Sequence, residues 1–320
     1  MGLKIIGTGR KLPGRIVSND ELANLIETDD EWITSKTGIK SRRVCTNESI
    51  NDLAAEAGNI AIKRSGLKPS EIDLVIGTTV SGDYVTPTLS CDILQKIGAN
   101  CPAFDINAAC SGFIYALDIA KAYINSGSAK NILIVSAEMM SRMINWTDRN
   151  TCILFGDGAG ACVVTKSPGN TVKYTKLTAD GTTEPLYQRA GTGNSPFVSK
   201  KLEHGFVQMQ GQDVFKFAVK TIGDEIQEAL EKLDIAAESV DYFILHQANK
   251  RIIDGISKRL KQPTEKFPIN IDKYGNMSSA SIPVLLDEMI CDNKIKPGDT
   301  LVFAGFGAGL TTGTCVIVWE

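Results

Sequence analysis

Apolar runs with β-forming residues alternate with segments of helical periodicity along most of the chain. Strands are predicted at Leu3–Thr8, Asp73–Thr79, Ala103–Asn107, Asn131–Ala137 and Ala159–Thr165, then at Thr171–Leu177, Val240–Leu245, Leu301–Ala304 and Thr314–Trp319. Helices are predicted over Asn51–Arg64, Ser111–Ile124, Gln212–Leu233, Asn249–Leu260 and Ala280–Ile290. Alternation of this kind predicts an α/β fold with sheets covered on both faces. The Thr/Gly-rich stretch Ala179–Glu203 reads as a long surface excursion.

The pattern also repeats. Ser70–Ile76 resembles Glu238–Ile244, and Gly156-Asp157-Gly158-Ala159-Gly160 resembles Gly305-Phe306-Gly307-Ala308-Gly309. Between them, Phe104–Gly112 and Asn270–Ser278 read as strand–turn–helix in both copies. The common order predicts two similar halves, 1–167 and 168–320, divided near Ser167-Pro168-Gly169-Asn170. A shift of 166 residues sets Cys110 opposite Asn276, each at a strand-to-helix junction, while His246 ends the strand Val240–Leu245. The three are expected to meet between the halves.

Composition narrows the chemistry. With 34 basic and 37 acidic residues the net charge is −3, so no broad nucleic-acid surface is expected. No apolar run is long enough to span a bilayer, and the first residues lack the pattern of a signal peptide, so no membrane association and a cytoplasmic location are expected. Eight cysteines without a CxxC pair read as reduced thiols. Two histidines, His204 and His246, are too few for a histidine-rich metal site, so no metal is expected.

Cys110 follows a buried-strand pattern and precedes a helix with apolar residues at 113, 114, 117 and 120. A helix start favours a thiolate, and small neighbours admit a substrate. The same residue also reads as a buried structural thiol. His246 is a candidate proton donor and acceptor or an ordinary satisfied histidine, with His204 the weaker candidate. Asn276 is a candidate donor to a developing oxyanion or a turn cap. Neither glycine run matches a phosphate-loop pattern, so both are expected to serve close backbone approach, with N–H groups free for an oxyanion.

Taken with Asp29-Asp30-Glu31-Trp32-Ile33, Thr147-Asp148-Arg149, the cysteine run at 107–113, His246-Gln247-Ala248-Asn249 and Tyr274-Gly275-Asn276, the whole chain resembles the β-ketoacyl-acyl-carrier-protein synthase III family. These are the initiating condensing enzymes of bacterial type II fatty acid synthesis, in the thiolase superfamily. The resemblance implies a thiolase-like αβαβα fold, a homodimer, and acyl-coenzyme A and malonyl-acyl carrier protein as substrates, with no cofactor. It implies Cys110 as the acylated nucleophile, His246 and Asn276 as the decarboxylation pair, and an oxyanion hole from the backbone N–H groups of Cys110 and Ala308. Thr28, Trp32, Lys36 and Arg149 fall at coenzyme A positions. Lys216, Lys250, Arg251, Lys258 and Arg259 form a basic cluster that by charge pattern reads either as an ordinary solvated helix face or as a docking surface, and the resemblance favours docking of the carrier protein. Lys36, Thr86, Met277 and Thr312 depart from the commonest residues of the family. The resemblance implies that Thr86 lines the acyl pocket of the partner subunit, and with this smaller residue there a branched or longer primer is expected to fit. The alternative is a related specialised-metabolism condensing enzyme or acyltransferase using the same acyl-cysteine.

Overall fold

The computed structural model describes residues 2–169, 171–193 and 195–320. Met1, Asn170 at the expected division between the halves, and Asn194 within the expected excursion lie outside the described residues.

The strands in chain order are β1 (Gly2–Lys11), β2 (Arg15–Ser18), β3 (Ser41–Val44), β4 (Leu74–Thr78), β5 (Ala103–Ile106), β6 (Asn131–Met139) and β7 (Asp157–Ser167). They continue with β8 (Val172–Ala179), β9 (Leu186–Tyr187), β10 (Gln208–Met209), β11 (Tyr242–Leu245), β12 (Thr300–Gly307) and β13 (Thr311–Val318). The helices are α1 (Asn19–Leu22), α2 (Asp30–Thr37), α3 (Ile50–Ser65), α4 (Leu89–Ile97) and α5 (Gly112–Ser126), then α6 (Gly211–Leu233), α7 (Lys250–Leu260), α8 (Ile271–Tyr274) and α9 (Ser281–Cys291).

Two sheets carry the architecture. The first has the order β1-β7-β6-β4-β5 and the second β11-β12-β13-β8. In the first, β6 and β5 run parallel to β4 while β7 is antiparallel to β1 and β6. The second repeats this arrangement, with β11 parallel to β12 and β13 antiparallel to β12 and β8. β5 has no strand counterpart there among the described residues.

Period-2 alternation places the layers. Leu74, Ile76, Ile132 and Ile134 pack on α5 and α9 together with Leu301, Phe303, Cys315 and Ile317 of the second sheet. The intervening Val75, Leu133, Val135 and Val163 face α3 and α4 instead. Val302, Ala304 and Val316 face α6 and α7. The result is helix, sheet, helix, sheet, helix, as the thiolase-like pattern predicts. Each fully buried Ile, Leu or Phe contributes roughly 1.5–3 kcal/mol of transfer free energy, so both faces of both sheets stabilise the fold.

The repeat holds, but its register needs correction. Asn270–Ser278 is not strand–turn–helix. It carries the short α8 and then a turn at Ser278–Ala280 that leads into α9. The matching turn at Ala109–Ser111 leads into α5. Ala109 and Ser278 each open their turn at positive φ, 48° and 47°. Asn107 Oδ1 accepts from Ala109 N at 3.2 Å, and Asn276 Oδ1 accepts from Ser278 N at 2.8 Å. The offset between halves here is therefore the 169 residues from Ala109 to Ser278, which pairs Cys110 with Ser279 and Asn107 with Asn276.

Candidate active site

A cavity of about 1320 Å³ is lined by Cys110, His246 and Asn276 together, with Ala308 and Phe306 beside them. The three arrive from different elements, as the sequence predicts. Cys110 lies in the turn before α5, His246 directly follows β11, and Asn276 lies between α8 and α9. The end of β12 comes very close to the turn that carries Cys110. A Cβ at Gly307 would stand 2.6 Å from Cys110 N and 2.9 Å from Ala109 Cβ. Only glycine permits that approach. Thr311 fastens it, its Oγ1 lying 3.2 Å from both Ala108 O and Ala308 O and 2.7 Å from Ser111 Oγ.

The electrostatics overturn one expectation. The helix start does not by itself hold Cys110 as a thiolate. Burial pushes its thiol up to about 12, and the Glu138 carboxyl adds to the rise. The nearby Ser278 hydroxyl and a backbone N–H oppose it without prevailing. Burial likewise drives His246 down to about 3. Desolvation acts against the charged form of each group, so the resting pair is neutral thiol and neutral imidazole. The His246 ring meets Phe306 edge-on at 5.5 Å, and its Nδ1 is buried without a partner among the described residues.

Asn276 is held on three sides. Its N donates to Leu154 O at 2.8 Å, its O accepts from Gly156 N at 3.0 Å, and its Oδ1 accepts from Ser278 N. The side-chain NH2 is the group left to face the cavity. This bridge also corrects the reading of the first glycine run. The Gly156 N–H is spent on Asn276, and Gly158 and Gly160 lie in the β7 ladder. The glycines serve packing: a Cβ at Gly156 would meet Tyr274 O at 2.1 Å, and one at Gly160 would meet Val284 N at 2.8 Å. In the second run, Ala308 and Gly309 do line the cavity.

At the mouth, Asp29 caps α2 by accepting from Trp32 N at 2.6 Å. Arg149 stacks on Trp32, its Cζ 3.8 Å from the ring centroid. Lys36 is exposed in the last turn of α2 and lines the cavity with Trp32. Thr28 Oγ1 is buried without a partner among the described residues. Of the basic cluster, Lys216 and Arg251 reach the cavity lining and Lys258 is exposed. Two of the five are already neutralised: Lys250 pairs with Asp254 at 2.7 Å, and Arg259 turns back onto Asp224 of α6. His204 is exposed at the cavity edge beside Gln188.

Family comparisons fit this geometry. The model of the 3-oxoacyl-[acyl-carrier-protein (ACP)] synthase III family matches residues 104–181, and that of its C-terminal region matches residues 230–319. The chain is 46% identical to the β-ketoacyl-[acyl-carrier-protein] synthase III of Natranaerobius thermophilus, covering 99% of each. It belongs to the β-ketoacyl-acyl-carrier-protein synthase III family. The enzyme of Clostridium novyi is 44% identical, again over 99% of each chain. The crystal structure of 3-oxoacyl-[acyl-carrier-protein] synthase III from Aquifex aeolicus VF5 superposes with a TM-score of 0.93 at 42% identity, covering 99% of this chain and 100% of that one. The protein is thus a thiolase-fold acyltransferase, an initiating condensing enzyme of fatty acid synthesis.

Within the synthase III family the departures take on definite positions. Met277 is fully buried and packs with Ala280, Val284, Leu12 and Tyr274. Thr312 is buried, and its hydroxyl donates to Glu225 at 2.8 Å. Thr86 is exposed next to the fully exposed Val85. None of the three lines this chain's cavity. The sequence reading missed Phe306, Ser278 and Glu138. Phe306 lay inside the glycine run already singled out, and Ser278 two residues beyond Asn276. Glu138 gave one signal, an acidic residue ending an apolar strand.

Proposed function

We propose that the enzyme runs two half-reactions on Cys110. The supporting observation is that Cys110, His246 and Asn276 line one cavity from three elements. In the first half-reaction the Cys110 sulfur attacks the thioester carbonyl of an acyl-coenzyme A. The bond from that carbonyl to the coenzyme A sulfur breaks. Coenzyme A leaves as a free thiol, with the proton that Cys110 gave up by way of His246. In the second, malonyl-acyl carrier protein loses carbon dioxide. The resulting enolate oxygen accepts from His246 and the Asn276 NH2, and its carbon attacks the acyl-cysteine carbonyl. Cys110 is expelled as thiolate and takes up a proton from solvent, and the product is β-ketoacyl-acyl carrier protein. A neutral imidazole suits the second step, because it donates to charge that appears only in the transition state. The backbone N–H groups of Cys110 and Ala308 are assigned to the acyl oxyanion.

Trp32, Arg149, Thr28 and Lys36 are assigned to coenzyme A, with Trp32 and Lys36 set at the cavity mouth. Lys216, Arg251 and Lys258 are assigned to the acidic carrier protein, Lys250 and Arg259 contributing less because each already has an acidic partner. Neither half-reaction calls for a metal or a redox cofactor. The exposed apolar pair Tyr84 and Val85 supports a homodimer, the protein acting in the cytoplasm. Full-length likeness to synthase III enzymes favours this reading over a specialised-metabolism acceptor.

Intact-protein mass spectrometry with a panel of acyl-coenzyme A thioesters, with and without malonyl-acyl carrier protein, tests the proposal. Acyl-enzyme should form on the native protein and not on Cys110→Ala. His246→Ala and Asn276→Ala should still form acyl-enzyme, the former more slowly, yet lose condensation, each by roughly 10²–10³ in rate. Acylation elsewhere, or a folded His246→Ala protein that condenses at the native rate, overturns the assignment.

A further inference from the structure

Ser278 is unusual in three respects. It is 1% exposed, it lines the cavity with Cys110, His246 and Asn276, and its Oγ has no hydrogen-bond partner among the described residues. An unpartnered buried hydroxyl is unfavourable and calls for an explanation. Holding the turn does not supply one. The backbone N of Ser278 is already fixed by Asn276 Oδ1, and the matching position in the first half adopts the same positive φ with alanine, Ala109. The next residue behaves differently: Ser279 Oγ donates to Glu138 Oε1 at 2.7 Å and lies 3.3 Å from Thr78 O. One serine of the pair is tied into the structure, and the other faces the cavity free.

The turn at Ser278–Ala280 packs directly against the turn that carries Cys110. The atom there that gains most from a donor is the Cys110 sulfur once it is charged. Among the described residues no cation bears on it. Neither β12 nor the turn at Ser278–Ala280 has a titratable residue, and β13 has only Cys315. On the first turns of α5, Tyr115 directs its hydroxyl to Thr178 O at 2.8 Å. The titratable groups that bear on the sulfur are His246 and the buried Glu138. His246 is neutral, and Glu138 opposes a thiolate.

We propose that Ser278 is a further catalytic residue of the reading given above: its hydroxyl donates to the Cys110 sulfur whenever that sulfur carries negative charge. This happens as the thiol gives up its proton, and again when the condensation expels the thiolate. The hydroxyl is off hydrogen-bond geometry in the resting thiol, yet near enough to both Cys110 and Glu138 to favour their charged forms.

The test is the iodoacetamide alkylation rate of Cys110 at several fixed pH values below its inflection, where the rate follows the thiolate fraction. Peptide mapping follows the exposed Cys91 and Cys291 as internal references. Ser278→Ala removes the hydroxyl and keeps the positive-φ constraint. Ser278→Gly removes the hydroxyl and relaxes the constraint. Both should slow Cys110 roughly ten- to hundredfold at every pH, the worth of a hydrogen bond to a charged group. Both should slow acyl-enzyme formation by a similar factor and leave Cys91 and Cys291 unchanged. Native Cys110 rates in folded Ser278→Ala overturn the proposal. So does a loss in Ser278→Ala that Ser278→Gly restores, since backbone shape would then be the cause. Failure of the native protein to form any acyl-enzyme would instead overturn the two-half-reaction reading, which the alkylation rates do not assume.

Discussion

Burial governs the two titrating residues of the site, and it sets their pH behaviour. Cys110 is raised from an ordinary 9.0 to about 12 and His246 lowered from 6.5 to about 3. The unfolded chain therefore binds more protons than the folded one at His246 between those values, and fewer at Cys110. Stability contributed at His246 is present above about pH 6.5 and is lost as the pH falls towards 3. Stability at Cys110 is present below about pH 9 and is lost as the pH rises towards 12. In the native protein, Cys110 alkylation should climb steadily from pH 6 to 10. A plateau by pH 8 would mean a preformed thiolate–imidazolium pair and would refute the neutral resting state. The identities of these residues were legible in the sequence because strand ends and helix starts mark them. Their ionisation was not. It depends on how much water the folded neighbours remove, and a local helix-start argument does not register the neighbours.

At the scale of elements, the close approach of β12 to the Cys110 turn is the most exacting feature. Gly307→Ala places a methyl group 2.6 Å from Cys110 N, against backbone that cannot yield cheaply. Acyl-enzyme formation measured by mass should fall at least about tenfold while the fold persists, since small misplacements of reacting groups cost this much or more. A native rate would show that the turn can shift aside. The α7 helix carries a second test. Asn249 caps it by accepting from Arg251 N at 2.9 Å, which sets Arg251 at the cavity edge. Arg251→Glu should raise KM for malonyl-acyl carrier protein and weaken its salt dependence, leaving acyl transfer from coenzyme A nearly unchanged. Equal loss in both steps would remove Arg251 from the docking surface. The strands of both sheets were readable because alternate residues face different layers, as Val75 and Ile76 do. The short α2 was not read as a helix, because Asp30–Thr37 is polar around most of its surface and buries little beyond Ile33 and Thr37. The register between halves slipped because the chain before Asn276 forms α8, where the matching segment of the first half is β5.

For the whole molecule, the central layer joins the two sheets. Phe303 of β12 meets Phe113 of α5 edge-on at 6.3 Å, and both are fully buried. Phe303→Ala should destabilise the protein by about 3–5 kcal/mol, read as a lower urea midpoint. A shift under about 1 kcal/mol would mean that the layer collapses to fill the space. The first sheet draws its strands from residues up to Ser167 and the second from residues after Thr171, yet the cavity needs both.

The corrected register shows the two matching turns doing different work. Where one has Cys110, the other has Ser279, whose hydroxyl is bound to Glu138 of the first sheet. One turn sets a thiol in the lining of the cavity, and the other acts as a rivet from the second half into the first. The residue that matches the cavity's cysteine thus helps to clamp together the two halves that form the cavity.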